Sequence, residues 1–335
     1  MVKFHLICLT VPQWSDNESA KKFDSRALQR LDSAIIPNRV NEIRCFSAVR
    51  NASLRLPFFL EYHRSIGVDR FFVISNNSTD DTNDILLNEP DVHLWHTSAE
   101  YSKSNFGNDW IFHLLLEHGI NKWCLILDQD EQLIFPHFEK KSIKNLTNSL
   151  QSRGATGYTT VFLDMYSKNN LNDLHYQQGQ PFLGTCPYFD FPDDVLSKLC
   201  LDLFRFIPRY RLLKPILDFY ISRRTSRYRV FKVPALIRKF PLFFFKPDII
   251  ISSGLHNAKN ISLSNARGAI LHFKYLQDFH SYVAEEIERS QHANCASEYK
   301  SYLSTMDTNN VTFYTKESLL FTGTDQLLEK RIFVE

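Results

Sequence analysis

Asp128, Asp130 and Glu131, within LILDQDEQLIFP, are the residues of this 335-residue chain whose types and spacing most invite chemistry. They follow an apolar stretch that reads as a buried strand, and in open parallel sheets ligands bind beyond the carboxyl ends of strands. Carboxylates this close repel one another unless a cation or basic group offsets their charge. Hard oxygen donors suit Mg2+ or Mn2+, which also bridge diphosphate oxygens. An acidic surface turn or helix cap is the plainer reading of the same residues.

Holding those acids at a strand end requires a layered sheet, and the pattern from Ile43 onward supplies one. Cys45 to Val49 reads as a buried strand. Pro57 opens a helical run, PFFLEYHRSI, that Gly67 closes, with Pro at the start and Gly past the end. RFFVIS (70–75) is a second strand. NNSTDDT is a polar turn in which Thr79 or Asp80 caps a short helix through Leu87. VHLWHT, the helix WIFHLLLEHG ended by Gly119, and the strand KWCLIL (122–127) follow. Strands alternating with helices at this spacing predict parallel βαβ units with both sheet faces covered. Past Gly157, YTTVFLDMY reads as another strand, and 170–228 is less regular. RVFKVPALIR, AILHFKYL and a polar helical run from Asp278 to about Met306 come after it.

The length allows one large domain, and 44% hydrophobic with 23% charged residues is an ordinary globular composition. With 28 Phe and 14 Tyr there are large apolar surfaces to bury, and a net charge of +2 leaves function to where charge sits. Cys8, Cys45, Cys124, Cys186, Cys200 and Cys295 form no C-x-x-C pair, which suits a reducing compartment rather than a disulfide framework or zinc site. The opening MVKFHLICLTVPQW is cut by Pro12, too short for a membrane span and poor as a signal peptide. The expected location is cytoplasmic, with room for peripheral contact at the inner face of a membrane. That location also keeps a glycan off the Asn76-Asn77-Ser78 triplet. No G-x-G-x-x-G follows a strand and no Gly-rich, Lys-containing phosphate loop lies near the first strand, which disfavours a nicotinamide dehydrogenase and a nucleotidyltransferase.

IGVDRFFVISNNSTDDTNDIL, then a strand, a helix and KWCLILDQDEQLIFP, resembles the family-2-like glycosyltransferases of the GT-A fold, in the subgroup with DNGSTDGT-like and DADEF-like motifs. The resemblance runs from about Ala48 to Phe135 and resumes at GLHNA (254–258) and GAILHFKYL (268–276). It implies an α/β, GT-A-like (Rossmann-like), mainly parallel sheet sandwiched by helices, with an irregular basic-aromatic insertion. With 1–40 lacking a clear period, the expected boundaries are an irregular lead-in over 1–40, a single GT-A-like catalytic domain over 41–310 with an acceptor-side insertion at 170–228, and a C-terminal extension over 311–335. The implied activity is inverting, metal-assisted transfer of a sugar from a nucleotide-sugar, a UDP-sugar first among them, to a glycan or lipid-linked acceptor. By the resemblance, Asp130 binds Mn2+ or Mg2+ and Asp128 the ribose or the metal. Asn77, Ser78 and Asp80 line the nucleotide side, with Arg50 and Asn51 at the end of the first strand. His256 is similar to the late histidine that completes the metal shell in many GT-A enzymes. The chain departs from the pattern at Ser75 (often Asp), Asn77 (usually Gly), Ala52 (often Glu) and Gln129 (a small residue). These departures keep a second reading in view, a catalytically silent GT-A-like domain that binds a membrane or protein partner.

His272 and Lys274 alternate along a strand and face one side. Lys274 can neutralise a leaving diphosphate, whereas His272 reads equally as a hydrogen-bonded core residue and His63 as structural. An inverting transfer needs a carboxylate to take the acceptor hydroxyl proton, and Asp164, Asp190 and Glu131 are the candidates. Between Leu203 and Lys246, twelve Lys or Arg face one acid, Asp218, among many aromatics. Such a stretch suits an anionic membrane surface near a lipid-linked acceptor, as in polysaccharide biosynthesis. A subunit interface is the next reading, and nucleic acid is not expected.

Overall fold

The computed structural model describes residues 27–192, 194, 197, 202, 214–252, 254–307 and 310–335. Most of the expected lead-in (1–26) and the first part of the basic stretch (203–213) therefore lie outside the described residues. The first half runs β1 (Gln29–Arg30), β2 (Ile43–Val49), α1 (Leu56–Ser65), β3 (Arg70–Asn76), α2 (Thr82–Leu87), β4 (Val92–Thr97), α3 (Asn108–His118), β5 (Trp123–Ile126) and β6 (Glu131–Ile134). Next come α4 (Ile143–Ser152), β7 (Gly157–Tyr166), α5 (Phe182–Thr185), β8 (Tyr188–Phe189), α6 (Lys214–Ser222), α7 (Ser226–Phe231) and β9 (Arg238–Phe244). The chain continues through β10 (Ile250–Ser252), β11 (Asn257–Lys259), β12 (Leu263–His272), α8 (Phe279–Arg289), α9 (Ala293–Met306), β13 (Leu319–Leu320) and α10 (Thr324–Glu329).

Alternation along the strands builds the layers. In β2, Ile43, Cys45 and Val49 join a core with Leu56, Phe59 and Leu60 of α1 and Ile143 and Leu150 of α4. Phe46 points the other way, into a core with Trp110, Phe112 and Leu115 of α3. In β3, Phe71 and Val73 go to the first core, and Phe72 and Ile74 to the second. A strand buried on both faces needs apolar residues at successive positions, which is why CF and FFVI run uninterrupted.

The sheet order is β1-β4-β3-β2-β5-β9-β7-β12-β6. β4, β3, β2 and β5 are mutually parallel, as are β7 and β12. β9 runs antiparallel between β5 and β7, so the two parallel groups point the same way; β6 is antiparallel to β12. The architecture is thus α/β with a mainly parallel sheet sandwiched by helices. At one edge of the parallel groups β3 ends at Asn76, β5 ends two residues before Asp128, and β12 ends two residues before Lys274. The polar run from Asp278 forms two helices, α8 and α9. The 311–335 stretch packs onto the domain: Leu327, Ile332 and Phe333 are buried, and Val334 bridges to Arg267.

Candidate active site

Between β5 and β6 the chain turns at Asp128–Glu131. Glu131 N donates to Asp128 O at 3.0 Å and Asp128 N donates to Glu131 Oε2 at 3.2 Å, which closes the turn on itself. The other Glu131 oxygen pairs with the Lys239 ammonium from β9, and both side chains are almost fully buried. Lys239 Nζ also lies 3.6 Å from Asp128 Oδ2. Burial opposes the Lys239 charge, but Glu131 and Asp128 outweigh it and raise its pKa. Burial pushes Glu131 up to about 7 against the pull of Lys239. Glu131 is therefore an internal anchor of the turn.

Asp130 is held from the opposite strand. Its carbonyl accepts from Phe273 N at 2.7 Å, and its Oδ2 lies 3.3 Å from His272 Nε2. His272 Nδ1 lies 2.7 Å from Asp164 Oδ1, and Arg227 of α7 donates to both Asp164 oxygens at 3.1 and 2.6 Å. Strand register sets up this row, since His272 pairs with Asp164 on β7 and with Glu131 on β6. Burial works against the His272 charge, but Asp130 and Asp164 raise its pKa. Burial of Asp130 and of Asp164 is likewise outweighed, by His272 with Arg55 in one case and by Arg227 with His272 in the other, so both carboxyls sit below their usual range.

Asp128, Gln129 and Asp130 line an open cavity. Arg50 and Asn51 after β2, Asn76 ending β3, and Trp110 of α3 line it from the sheet side. Arg55, Lys274 and Asp278 join them, and Tyr282, Glu286 and Arg289 of α8 with Tyr299 of α9 complete the wall. The wall is tied down: Arg50 pairs with Glu285 at 2.8 Å, Arg55 with Asp278, and Arg289 Nη2 reaches Asn76 Oδ1 at 3.4 Å. Lys274 Nζ is 3.5 Å from Glu298 and lies over the rings of Tyr299 and Tyr302 at 4.9 and 5.0 Å. The cavity thus carries cations and anions interleaved, a lining suited to a charged, polar ligand.

Of the residues expected at the nucleotide, Arg50, Asn51, Asp128 and Lys274 line the cavity, whereas Asn77, Ser78 and Asp80 do not. Those three buttress the Arg50–Ser53 turn. Arg50 Nη1 donates to Asn77 O at 2.7 Å, Asn51 N to Ser78 Oγ at 3.2 Å, and Ser53 N to Asp80 Oδ2 at 3.0 Å. Asp80 Oδ1 also accepts from Thr82 N at 3.1 Å, at the start of α2. Asn77 sits at φ 50°, the left-handed region that Asn tolerates better than other residues with a side chain, which lets it stand where the related pattern has Gly. Ser75 is buried and hydrogen-bonds Ser78 at 2.9 Å, so it supports the same turn.

The three acids expected as the base are placed elsewhere. Asp164 has both oxygens on Arg227 and His272; Asp190 bonds the Tyr166 hydroxyl and, at 2.7 Å, Arg229; Glu131 is sealed against Lys239; none lines the cavity. His256 also departs from expectation. Its Nδ1 faces the Arg238 carbonyl, burial pushes its pKa down to about 3, and it does not line the cavity. Among the described residues no three His, Cys, Asp or Glu side chains are grouped to hold a metal, so the expected Asp128–Asp130–His256 set is not assembled. Two carboxylates remain on one turn, Asp128 with 62% of its side chain exposed and Asp130 with 16%, and these are the residues that would hold a divalent cation and offset phosphate charge there. Sequence reasoning missed Arg55, Asn76, Asp278 and the α8–α9 wall. Arg55 lies just four residues past Asn51, and Asp278 opens the polar helical run, but neither carries a distinctive pattern.

No protein-family model matches the chain, and no curated protein matches it. Solved structures that align with it include a chain described as a glucose-1-phosphate thymidylyltransferase from Bacillus anthracis in complex with sucrose, at 7% identity and a TM-score of 0.27, covering 42% of this chain and 65% of that one. A UDP-glucose pyrophosphorylase complexed with UDP-glucose aligns at 9% identity and a TM-score of 0.26, covering 40% and 60%. A 4-diphosphocytidyl-2C-methyl-D-erythritol synthase aligns at 15% identity and a TM-score of 0.27, covering 44% and 68%. The alignment with the first of these spans under two thirds of that neighbour's length, and similarity at this level carries no argument about activity.

Proposed function

We propose that the chain is a metal-assisted glycosyltransferase that takes a nucleotide-sugar, a UDP-sugar first among them, in the cavity beside Asp128 and Asp130. The observation that carries this reading is the placement of the Asp128–Asp130 turn at the end of β5, in one cavity with Arg50, Asn51 and Lys274. The motif resemblance adds to it. Asp128 and Asp130 would hold Mg2+ or Mn2+, which when bound offsets charge on the nucleotide diphosphate. His272 and the Phe273 amide fix Asp130, so the turn need not reorganise on binding. Lys274, which lines the cavity, supplies positive charge to the leaving diphosphate.

Asp164, Asp190 and Glu131 do not line the cavity, so the base role goes to Asp278, which does and keeps 29% of its side chain exposed; both its oxygens rest on Arg55, which must release one for the acceptor hydroxyl. It takes the acceptor hydroxyl proton as that oxygen bonds the anomeric carbon, while the bond to the diphosphate breaks and its electron pair leaves with the nucleotide. The test is release of nucleoside diphosphate from a panel of UDP-, GDP- and CMP-sugars (CMP itself for the last) with Mn2+ and mixed glycan acceptors. Wild type should consume one donor class, and Asp278→Asn should lose turnover while still binding that nucleotide. Full turnover by Asp278→Asn would remove it from the base role, and no turnover of any donor would count against the transferase.

A further inference from the structure

The basic stretch reads differently once its side chains are placed. Arg227, Arg238 and Lys239 are buried, with Arg227 and Lys239 consumed by Asp164 and Glu131. They belong to the interior and cannot serve a surface. Among the described residues of the stretch, the exposed large apolar side chains lie on α6. Leu217, Tyr220 and Ile221 pack inward against the domain. Ile216 and Phe219, one turn apart and so on one helix face, are 63% and 58% exposed.

Arg223 stands against this pair, and Tyr228 lies near both Arg223 and Lys232. The Arg223 guanidinium stacks on Phe219 at 3.5 Å and donates to its carbonyl at 3.3 Å. Arg224 lies over Tyr220 at 4.4 Å and pairs with Asp194 at 2.9 Å. Lys232, just past α7, is exposed and lies 5.9 Å from the centre of the Tyr228 ring. The acid of the helix, Asp218, attracts the buried Arg238.

We propose that this face of α6 seats on an anionic phospholipid surface, with Ile216 and Phe219 entering the acyl boundary and Arg223 and Lys232 meeting lipid phosphates. An apolar pair with Arg223 stacked on it, and Lys232 near the Tyr228 ring that Arg223 also approaches, has the charge complement of such a surface. Two exposed apolar side chains are far short of the roughly 800 Å2 per partner that a stable protein interface needs, which argues against a second copy of the chain. No described helix is long and apolar enough to cross a membrane, so contact through α6 is interfacial. The proposal is independent of the catalytic reading.

The test is co-sedimentation of the full chain with phosphatidylcholine vesicles and with equal-part phosphatidylcholine and phosphatidylglycerol vesicles. Binding should favour the anionic vesicles and weaken with added salt. The Ile216→Ser, Phe219→Ser double variant should lose it. Arg223→Ala with Lys232→Ala should weaken binding to anionic vesicles by about five-fold per cation removed, the factor set by roughly 1 kcal/mol per basic residue near such a surface. Unchanged melting temperatures will separate lost contact from lost fold, and the Arg223/Lys232 variant decides the matter should the apolar variant melt early. The proposal is overturned if wild type ignores anionic vesicles, if the apolar variant binds as well as wild type, or if wild type is a dimer that the apolar variant dissociates.

Discussion

Replacing Lys239 by Met should show how tightly the Asp128–Glu131 turn depends on one buried cation. Met matches the stem of Lys, so the perturbation is mainly loss of charge beside Glu131, whose side chain is 1% exposed. Breaking a buried ion pair by removing one partner costs about 3–5 kcal/mol. Glu131 has an escape, because it can take a proton. Its ordinary pKa is 4.5, and neutralising it costs about 1.4 kcal/mol for each pH unit above that. The cost is therefore capped near ~1 kcal/mol at pH 5 and ~5 kcal/mol at pH 8. The sign follows: burial raises the folded pKa of Glu131, so the folded variant binds a proton that the unfolded chain releases above pH 4.5, and stability falls as pH rises. Melting of wild type and Lys239→Met should differ little at pH 5 and by on the order of 6–10 °C at pH 8. Adding Glu131→Gln, which keeps an acceptor for the Asp128 amide, should restore most of the loss at pH 8. An equal deficit at both pH values, or no rescue by Gln, would refute the argument.

Other consequences follow from single residues. His63 is fully buried, its Nδ1 is 2.8 Å from the Phe59 carbonyl, and burial pushes its pKa down to about 4. Its folded pKa is depressed, so stability should fall as pH drops from 6.5 towards 4, by up to about 3 kcal/mol; urea unfolding of His63→Gln should show a flatter profile there. Gly268 lies in β12 between β7 and β6, where an added Cβ would meet Ile134 O at 2.5 Å and the Tyr158 hydroxyl at 2.7 Å. Gly268→Ala should cost about 1–3 kcal/mol in urea unfolding, the range for overpacked cores. A neutral effect would mean the sheet yields there.

The first four apolar strands and the helices between them were legible because alternation and helical periodicity are local properties of the chain. Pro57 and Gly67 bracket α1, and the acids after LIL marked the turn that lines the cavity. The antiparallel insertion of β9 was not legible, since strand order depends on which segments meet in space. The same applies to charge. Arg227 and Lys239 read as surface cations because their partners, Asp164 and Glu131, lie 63 and 108 residues away. Asp164 and Glu131, read as free acids, are neutralised by those two residues. The α8–α9 wall carries ordinary helical composition, and its role comes from Arg50, Arg55 and Asn76 reaching across to it.

The central claim is that the cavity holds a nucleotide diphosphate through the Asp128–Asp130 turn, and ligand-dependent melting tests it most directly. Wild type and Asp130→Asn would be melted with UDP, GDP and CMP, each with and without Mn2+. A ligand at 100 times its dissociation constant adds about 2.7 kcal/mol to the folded state, a shift of several degrees. The account predicts an upward shift with one nucleotide that requires Mn2+ and is lost in Asp130→Asn. No shift with any nucleotide, or one that persists undiminished in Asp130→Asn, would contradict it.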